Sequence, residues 1–407
     1  MKKNRSSNKN LCMIEPRLIN FTGHAFNYAL SLKREVEELG GEFCILVSKD
    51  CDIEIISELN GIPVFDKNPS NNLFKSLWKR FLLVPIVFNY HLFIGLRRFN
   101  KITDTKWHYF MGTTQYFDLF AIFLFNLTNY ASERLFLTAR MTNYRVDLKR
   151  WSISIFWYRL FFSFLFYQNK IKKNIFIITD SENLQSEYQK ITSFPINLLP
   201  IPHTFQIASN KYDSDKETSE IVVVSLGPAR IQKGFTQTEK LVQKCCTSKN
   251  EFKSKVSFHL QCSAIQDSET QLSLDKLKSL NYENVFFYEN ELSETEYFDL
   301  LEKSHIVLVP YNRVSYYAQT SGVFTEAIAM KKIVIVNRPT WMSQQLDNFN
   351  IETTCNTDDE KEFYSLFKNI CNNFSHYQKL MEDMSKKWNQ FHNQKNFINS
   401  LFKLIEN

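Results

Sequence analysis

The sequence has 407 residues, of which 44% are hydrophobic and 23% are charged, with a formal net charge of +6. This length indicates two domains of similar size, and the balance excludes a disordered chain. Eight cysteines without a CxxC pair favour reduced thiols in the cytoplasm over a disulfide framework. The basic, polar residues 1–10 lack the apolar region of a secretory signal. Glycine is scarce, and neither GxxxxGKS/T nor GxGxxG occurs, which excludes the common glycine-rich phosphate loops.

The first half of the chain alternates short apolar runs with helical patterns. Asp180 and Ser181 are good N-cap residues for the helix after them. This alternation predicts a parallel, doubly wound α/β sheet with both faces covered. The pattern predicts helices over residues 21–39 and 182–191, and strands over residues 11–15, 42–47, 62–65, 107–111, 134–139 and 174–179.

The alternation restarts after a polar stretch between residues 200 and 219, which is the predicted linker. The sequence therefore predicts two Rossmann-like domains facing a cleft, residues 1–205 and 206–375. A helical segment, residues 376–407, follows and is expected to pack back on the first domain. In the second half the pattern predicts a helix over residues 235–245, helical spacing over residues 374–405, and strands over residues 221–226, 256–261, 285–288, 306–309 and 333–336.

The charge is uneven, with +9 on residues 1–207 and −3 on the remainder, so the first half is expected to meet an anionic ligand or surface. Two apolar stretches, residues 81–96 and 151–168, lie in this half. The second is almost long enough to span a bilayer but has Arg159 at its middle and basic residues at both ends. Two interpretations stay open: a core helix of a phenylalanine-rich protein, or an amphipathic helix in the interface of an anionic membrane.

The first candidate site is the loop LGPARIQKGF, residues 226–235. Ligands of doubly wound sheets bind at the carboxyl ends of strands, and this loop places Gly227, Arg230 and Lys233 between a strand and a helix. A guanidinium fork, an ammonium group and free backbone amides suit a diphosphate. The alternative is a pair of solvated basic residues in a surface turn.

The second candidate group follows the predicted strand 306–309. Tyr311 comes directly after the strand, and Ser321, Gly322 and Val323 open a helix whose N-terminal N–H groups attract an anion. Glu326 lies one turn into that helix, where its carboxylate can accept hydrogen bonds from ribose hydroxyls. The alternative role of Glu326 is to compensate the helix dipole, which contributes about 1 kcal/mol or less.

These stretches resemble the group 1 (family 4) glycosyltransferases of the GT-B fold. The resemblance is clearest over residues 222–346, where SLGPARIQKGF, ELSETEYFDLLEKSHIVLVPY and TSGVFTEAIA are similar to successive family motifs. It implies an enzyme that moves a sugar from a nucleotide-sugar to a glycan or lipid-linked acceptor, with retention of configuration, in polysaccharide or glycoconjugate biosynthesis. It further implies that the second domain binds the donor and the first binds the acceptor. The expected location is cytoplasmic and peripheral on the membrane, and the expected cofactor is none beyond the nucleotide-sugar co-substrate.

The resemblance also implies a role for each candidate residue. Arg230 and Lys233 would hold the diphosphate and act in catalysis, Glu326 would bind the ribose, and residues 321–323 would offer backbone amides to the phosphates. In the first domain the resemblance rests on fewer residues. There, His24 in the pair Gly23-His24 is the further catalytic candidate.

The sequence departs from the family pattern eight residues before Glu326, where Ala318 replaces a glutamate. Tyr316, Tyr317 or Gln319 could take over part of the role of that glutamate. Two alternatives to the transferase therefore stay open. One is another GT-B enzyme, a sugar epimerase or a phosphorylase, which would use the same phosphate-binding residues. The other, favoured by Ala318, is a catalytically silent scaffold that keeps the fold.

Two further classes of site are not expected from the sequence. The triplets at residues 50–52 and 213–215 match DxD, the metal motif of the other glycosyltransferase fold, but they lie in a charged loop and in the linker. Such triplets arise often by chance, so a metal site is not predicted. No nucleic-acid-binding module accompanies the basic first half, so nucleic acid is not an expected partner.

Overall fold

The fold was analysed in a computed structural model of the chain, which describes residues 8–21, 25–66, 77–128, 134–145, 148–152, 154–202, 220–248, 252 and 255–406. The chain divides into two compact units. Unit 1 comprises Met1–Thr204 and Asn393–Asn407, and unit 2 comprises Phe205–His392. Most of the predicted linker, residues 203–219, lies outside the described residues.

The strands are short and alternate with helices throughout. In chain order they are β1 (Leu11–Ile14), β2 (Phe43–Ser48), β3 (Gly61–Phe65), β4 (His108–Met111), β5 (Leu135–Thr138), β6 (Tyr144–Arg145), β7 (Arg150–Trp151), β8 (Ile175–Thr179), β9 (Ile196–Leu198), β10 (Glu220–Ser225), β11 (Lys255–Gln261), β12 (Val285–Tyr288), β13 (Ile306–Val309), β14 (Ile333–Asn337) and β15 (Thr354–Cys355).

The helices are α1 (Ala25–Glu38), α2 (Ile53–Glu58), α3 (Leu77–Ile102), α4 (Leu119–Thr128), α5 (Ile155–Lys172), α6 (Glu182–Gln189), α7 (Phe235–Thr247), α8 (Ser268–Ser279), α9 (Glu294–Lys303), α10 (Gly322–Ala329), α11 (Trp341–Asp347), α12 (Glu360–Asn372), α13 (Phe374–Phe391) and α14 (Gln394–Glu406).

Unit 1 is built on a seven-stranded sheet in the order β3-β2-β1-β4-β5-β8-β9, and every neighbouring pair is parallel. The central strands are apolar and buried along their whole length, as expected of a parallel sheet that is covered on both faces. Helix α14 belongs to this unit and packs against α1. Its Phe397 is buried, with ring centroids 6.4 Å from Tyr28 and 5.8 Å from Phe110.

The two apolar stretches of unit 1 form helices that lie in one layer. Helix α3 contains residues 81–96, and α4 packs between α3 and α5. The start of the second stretch differs from a continuous helix, because Trp151 pairs with Tyr144 in a small antiparallel hairpin before α5 begins. Among the described residues, no helix is long and apolar enough to cross a membrane.

Unit 2 is built on a six-stranded parallel sheet in the order β12-β11-β10-β13-β14-β15. Helix α13 packs on α10, which carries Glu326. The Ser385 hydroxyl donates a 2.9 Å hydrogen bond to the Ala329 carbonyl, and the Trp388 ring is 6.0 Å from that of Phe324. The helical stretch predicted over residues 374–405 is therefore two helices, one in each unit.

Candidate functional site

The strand order of unit 2 places its topological switch between β10 and β13. The chain proceeds from β10 to β11 and β12 on one side, and from β13 to β14 and β15 on the other. Loops that follow the two strands at such a switch diverge, and they leave a crevice at the carboxyl edge of the sheet. The loop after β10 carries Gly227, Arg230 and Lys233, and the loop after β13 begins with Pro310 and Tyr311.

Two glycines shape the loop after β10. Gly227 and Gly234 have φ values of 87° and 71°, in the left-handed region that favours glycine. A Cβ at residue 227 would collide with the ammonium group of Lys233, and one at residue 234 would collide with the Pro310 carbonyl. Glycine at these positions therefore lets Lys233 fold over the loop and lets the loop approach the end of β13.

The same loop holds two cations close together. Lys233 Nζ lies 5.5 Å from the centre of the Tyr311 ring. Burial and the charge of Arg230 lower the pKa of Lys233 to about 8, and the charge of Glu326 opposes this effect. The Nε atom of Arg230 is buried and has no hydrogen-bond partner in the described part of the chain. The arrangement is suited to an anion, because a bound phosphate would relieve the repulsion between the two cations.

Helix α10 brings its N-terminus to this loop. Ser321 caps the helix by accepting a 3.3 Å hydrogen bond from the Phe324 amide. The helix begins at Gly322, and a Cβ on Gly227 would lie 3.9 Å from Val323 Cγ2. The structure thus brings the predicted residues of the two loops together at the carboxyl edge of the sheet.

Glu326 lies beneath this edge and is held by a tyrosine. Its carboxylate is 3% exposed and accepts a 2.5 Å hydrogen bond from the Tyr297 hydroxyl, which comes from α9. A charged acceptor makes stronger hydrogen bonds than a neutral one, so Tyr297 fixes the orientation of the carboxylate. Tyr297 was not predicted as a site residue, because its only signal in the sequence is a lone tyrosine in a short helical segment.

The loop after β13 is tied to the loop after β10 by its backbone. The Asn312 amide donates to the Gln232 carbonyl at 2.8 Å, and the Tyr311 and Tyr316 rings are 4.6 Å apart. Ala318 is completely buried. Because its side chain is a methyl group, this position supplies no carboxylate to the site. Gln261, at the end of β11, accepts a 2.6 Å hydrogen bond from the Gly227 amide. Gln261 was not predicted as a site residue, and its only signal in the sequence is a polar residue at the end of a strand.

Some predicted features cannot be placed in the same way. His24 and Gly23 lie outside the described residues, as does the triplet at 213–215. In the other triplet, Asp52 precedes the short helix α2 at its N-cap position. Within the described ranges, no group of three or more His, Cys, Asp or Glu side chains could hold a metal ion.

Comparison with known proteins gives a likeness of structure without a likeness of sequence. No protein-family model and no curated protein matches the chain. Among solved structures, the sucrose-phosphate synthase of Thermosynechococcus elongatus has a TM-score of 0.66 at 12% identity, with 98% of each chain covered. An α,α-trehalose-phosphate synthase (UDP-forming) from Burkholderia xenovorans, in complex with glucose-6-phosphate, has a TM-score of 0.67 at 10% identity, covering 98% of this chain and 100% of that one.

A glycosyltransferase from Rickettsia africae ESF-5 has a TM-score of 0.64 at 12% identity, over 98% of this chain and 100% of its own. The chain has the GT-B fold. The predicted fold class, two parallel-sheet α/β domains with a helical C-terminal segment, is thereby confirmed.

The lowered pKa of Lys233 predicts how pH affects anion binding. A bound diphosphate favours the ammonium form, so affinity is highest while Lys233 is protonated and falls as pH rises through its pKa of about 8. We expect the affinity for a nucleoside diphosphate to fall about ten- to thirtyfold between roughly pH 7.5 and 9.5. Isothermal titration calorimetry measures this, in a range where the phosphate itself, with a second pKa of about 6, no longer titrates.

Lys332 provides the matched control, because burial also lowers its pKa to about 8 while its ammonium group donates to the Glu302 carbonyl. Lys332→Ala should keep the pH dependence, and Lys233→Ala should remove it. An unchanged slope in Lys233→Ala would show that another group is responsible.

Proposed function

We propose that this protein is a glycosyltransferase that moves a sugar from a nucleotide-sugar donor to a glycan or lipid-linked acceptor in polysaccharide or glycoconjugate biosynthesis. The observation that carries the proposal is the pair of cations, Arg230 and Lys233, held at the topological switch of unit 2. The likeness to enzymes described as UDP-forming supports it, since such enzymes release a nucleoside diphosphate.

The geometry of unit 2 supports a mechanism in which the leaving group is stabilised. As the bond from the anomeric carbon to the diphosphate oxygen breaks, the electron pair stays on the diphosphate. The acceptor oxygen forms the new bond to the anomeric carbon, and the proton of the acceptor hydroxyl passes to the departing diphosphate. Arg230, Lys233 and the N-terminus of α10 supply positive charge where this negative charge develops. The proposed reaction retains the anomeric configuration and uses no cofactor besides the nucleotide-sugar. Glu326, oriented by Tyr297, accepts hydrogen bonds from the ribose.

Ala318 supports a second candidate function. Its buried methyl group replaces the carboxylate of the family pattern. The second candidate is therefore a catalytically silent scaffold that binds a nucleotide at unit 2 without catalysing sugar transfer. A sugar epimerase would use the same phosphate-binding residues as a transferase. These candidates differ in their products: the scaffold releases none, and the epimerase gives an isomerised sugar without an acceptor.

Two substitutions separate the proposed roles of the donor-site residues. Lys233→Ala should weaken binding of a nucleoside diphosphate about 10–150-fold, because a charged hydrogen bond contributes roughly 1.5–3 kcal/mol. Its effect on the nucleoside alone should be small, since that ligand has no phosphate. Glu326→Gln should weaken both ligands, because it removes the charge that makes the carboxylate a strong acceptor. Calorimetry with UDP, ADP and GDP and their nucleosides measures both effects.

Lys332→Ala again serves as the control, and each variant should still unfold cooperatively near the wild-type temperature. If Lys233→Ala left diphosphate affinity within about twofold of wild type, a difference under 0.5 kcal/mol, the phosphate assignment would be wrong.

We also propose that the protein is cytoplasmic and that unit 1 docks on an anionic membrane surface. Helix α5 has an exposed stripe at helical spacing in which Phe156, Tyr167 and Ile171 are 58%, 67% and 86% exposed. Arg159 and Lys170 are exposed on the same helix. Aromatic and basic side chains on one face are typical of a helix that lies in a membrane interface. Its other face is core, because Tyr158, Phe161, Phe162 and Leu165 are buried.

Liposome flotation tests this surface. Binding to anionic vesicles should weaken with salt, because each basic residue near the surface contributes about 1 kcal/mol. The double variant Phe156→Ser, Tyr167→Ser should bind at least about tenfold more weakly, since each buried aromatic side chain contributes roughly 1.5–3 kcal/mol. The control Leu272→Ser, Phe286→Ser removes exposed apolar side chains from unit 2 and should change nothing. Equal recovery on neutral and anionic vesicles contradicts the electrostatic part of the proposal.

A further inference from the structure

Unit 1 has a topological switch of its own, between β1 and β4. The chain proceeds from β1 to β2 and β3 on one side and from β4 to β5 and β8 on the other. Glu15 follows β1 directly and Gly112 follows β4. A Cβ on Gly112 would lie 3.9 Å from Glu15 Oε2 and 3.5 Å from the Tyr28 ring. Ligands of doubly wound sheets bind at such a reversal of strand order, so this edge is a second candidate binding site.

Two arginines lie at this edge, and each is paired with a buried aspartate. Arg17 Nη2 is 3.3 and 3.1 Å from the two carboxylate oxygens of Asp118, which is 2% exposed. Arg140, two residues after β5, donates from Nε to Asp180 Oδ2 at 2.8 Å, and Asp180 directly follows β8. Among the described residues of this edge, Glu15 adds a further carboxyl group, so the two arginines supply no excess of positive charge there.

Hydroxyl groups add to the polar character of the edge. Thr114, after β4, and Thr138, at the end of β5, are 3% and 2% exposed. Their Oγ1 atoms have no hydrogen-bond partner in the described part of the chain. Buried polar atoms in native proteins are almost always hydrogen-bonded, so two orphaned hydroxyls at one edge indicate a place that a polar ligand or water completes.

A small hairpin that follows β5 in the chain carries two aromatic rings. Its strands β6 and β7 bring the half-buried Tyr144 and Trp151 rings to 5.3 Å from each other. Glu187 of α6 anchors the hairpin, because it accepts hydrogen bonds from the Thr142 hydroxyl at 2.8 Å and the Tyr144 amide at 3.0 Å. Tyrosine and tryptophan combine an apolar ring with a polar end, and the C–H faces of a sugar ring pack well on such rings.

The resemblance to the GT-B glycosyltransferases implies an acceptor site in the first domain. We infer that the acceptor at the carboxyl edge of β1, β4, β5 and β8 is an uncharged sugar, bound through its hydroxyl groups, rather than a sugar phosphate. This inference rests on the proposed function. Glu15 accepts a hydrogen bond from an acceptor hydroxyl, and the guanidinium groups of Arg17 and Arg140 donate from the N–H groups that their aspartates leave available.

The charge at the edge decides between the two classes of acceptor. A phosphate group carries about −1.5 to −2 near pH 7 and needs cations that nothing else neutralises. In unit 2, Arg230 and Lys233 form no salt bridge among the described residues, although the charge of Glu326 acts on Lys233. In unit 1, Arg17 and Arg140 each form a salt bridge with an aspartate. Like charge from Glu15 further opposes a phosphate. The acceptor class therefore differs from the glucose-6-phosphate bound by a structural neighbour.

Saturation-transfer NMR titrations on the full chain test the inference. The probes are neutral mono- to tetrasaccharides of glucose, galactose, mannose and N-acetylglucosamine, each beside its 6-phosphate. At least one neutral sugar should bind as tightly as its phosphate or more tightly. Glu15→Gln should weaken that binding about tenfold or more, because it removes a charged acceptor. The control Asp66→Asn, at the end of the edge strand β3 where the carboxylate pairs with Lys49 and Arg98, should leave binding within twofold.

Stability separates this role of Glu15 from a structural one. Burial raises the pKa of Glu15, so its ionised form destabilises the folded state above its ordinary pKa. Glu15→Gln should therefore unfold at the same temperature as wild type or higher near pH 7, while binding the neutral sugar less well. A variant that loses stability together with binding would show that Glu15 acts on the fold.

Three results would overturn the inference: no neutral sugar binds, every 6-phosphate binds at least tenfold more tightly than its parent sugar, or Glu15→Gln binds within twofold of wild type. Titration of the same samples with UDP, ADP and GDP distinguishes this failure from failure of the proposed function. If a diphosphate binds and Lys233→Ala removes that binding, the donor assignment survives and only the acceptor inference is wrong.

Discussion

The donor site that we propose for unit 2 depends on one physical constraint, the repulsion between the charges of Arg230 and Lys233. Burial and the charge of Arg230 lower the pKa of Lys233 to about 8 against the opposing charge of Glu326, so the ammonium form of Lys233 costs the unliganded protein free energy. The fold maintains the two charges by glycines at 227 and 234, where a side chain would collide with Lys233 or with the Pro310 carbonyl. A lysine with a perturbed pKa in a crevice is typical of a functional site, and we propose that a diphosphate is the ligand that relieves the repulsion.

The two units place differently paired charges at the same topological position. Each has a parallel sheet whose strand order reverses beside its first strand, and each places its candidate residues at that reversal. Unit 2 leaves two cations without an aspartate partner of their own among the described residues, whereas unit 1 gives Arg17 and Arg140 one each. We infer that the segments after the strands determine what each edge would bind, and that the sheet determines only where a ligand would lie.

Local patterns in the sequence predicted most of this structure. Buried parallel strands appear in a sequence as continuous apolar runs. The strands β12 and β13 therefore match their predicted ranges, and the other predicted strands differ by one residue at one or both ends. The short strands β9 and β15 were not predicted, because three and two residues carry too little pattern. The break between α13 and α14 was also missed: both helices are amphipathic, and tertiary packing on different units separates them. Glu15, Arg17 and Tyr297 escaped notice because their role depends on partners distant in sequence.

The measurement that tests the central claim most directly is turnover of a nucleotide-sugar in the presence of a glycan acceptor. The full chain is incubated with a panel of nucleotide-sugars and neutral oligosaccharides, and mass spectrometry follows both products. If the protein is the proposed transferase, a nucleoside diphosphate and an oligosaccharide longer by one sugar will appear in equal amounts. Binding of a nucleotide-sugar without any product, or an isomerised sugar formed equally well without acceptor, would contradict this proposal.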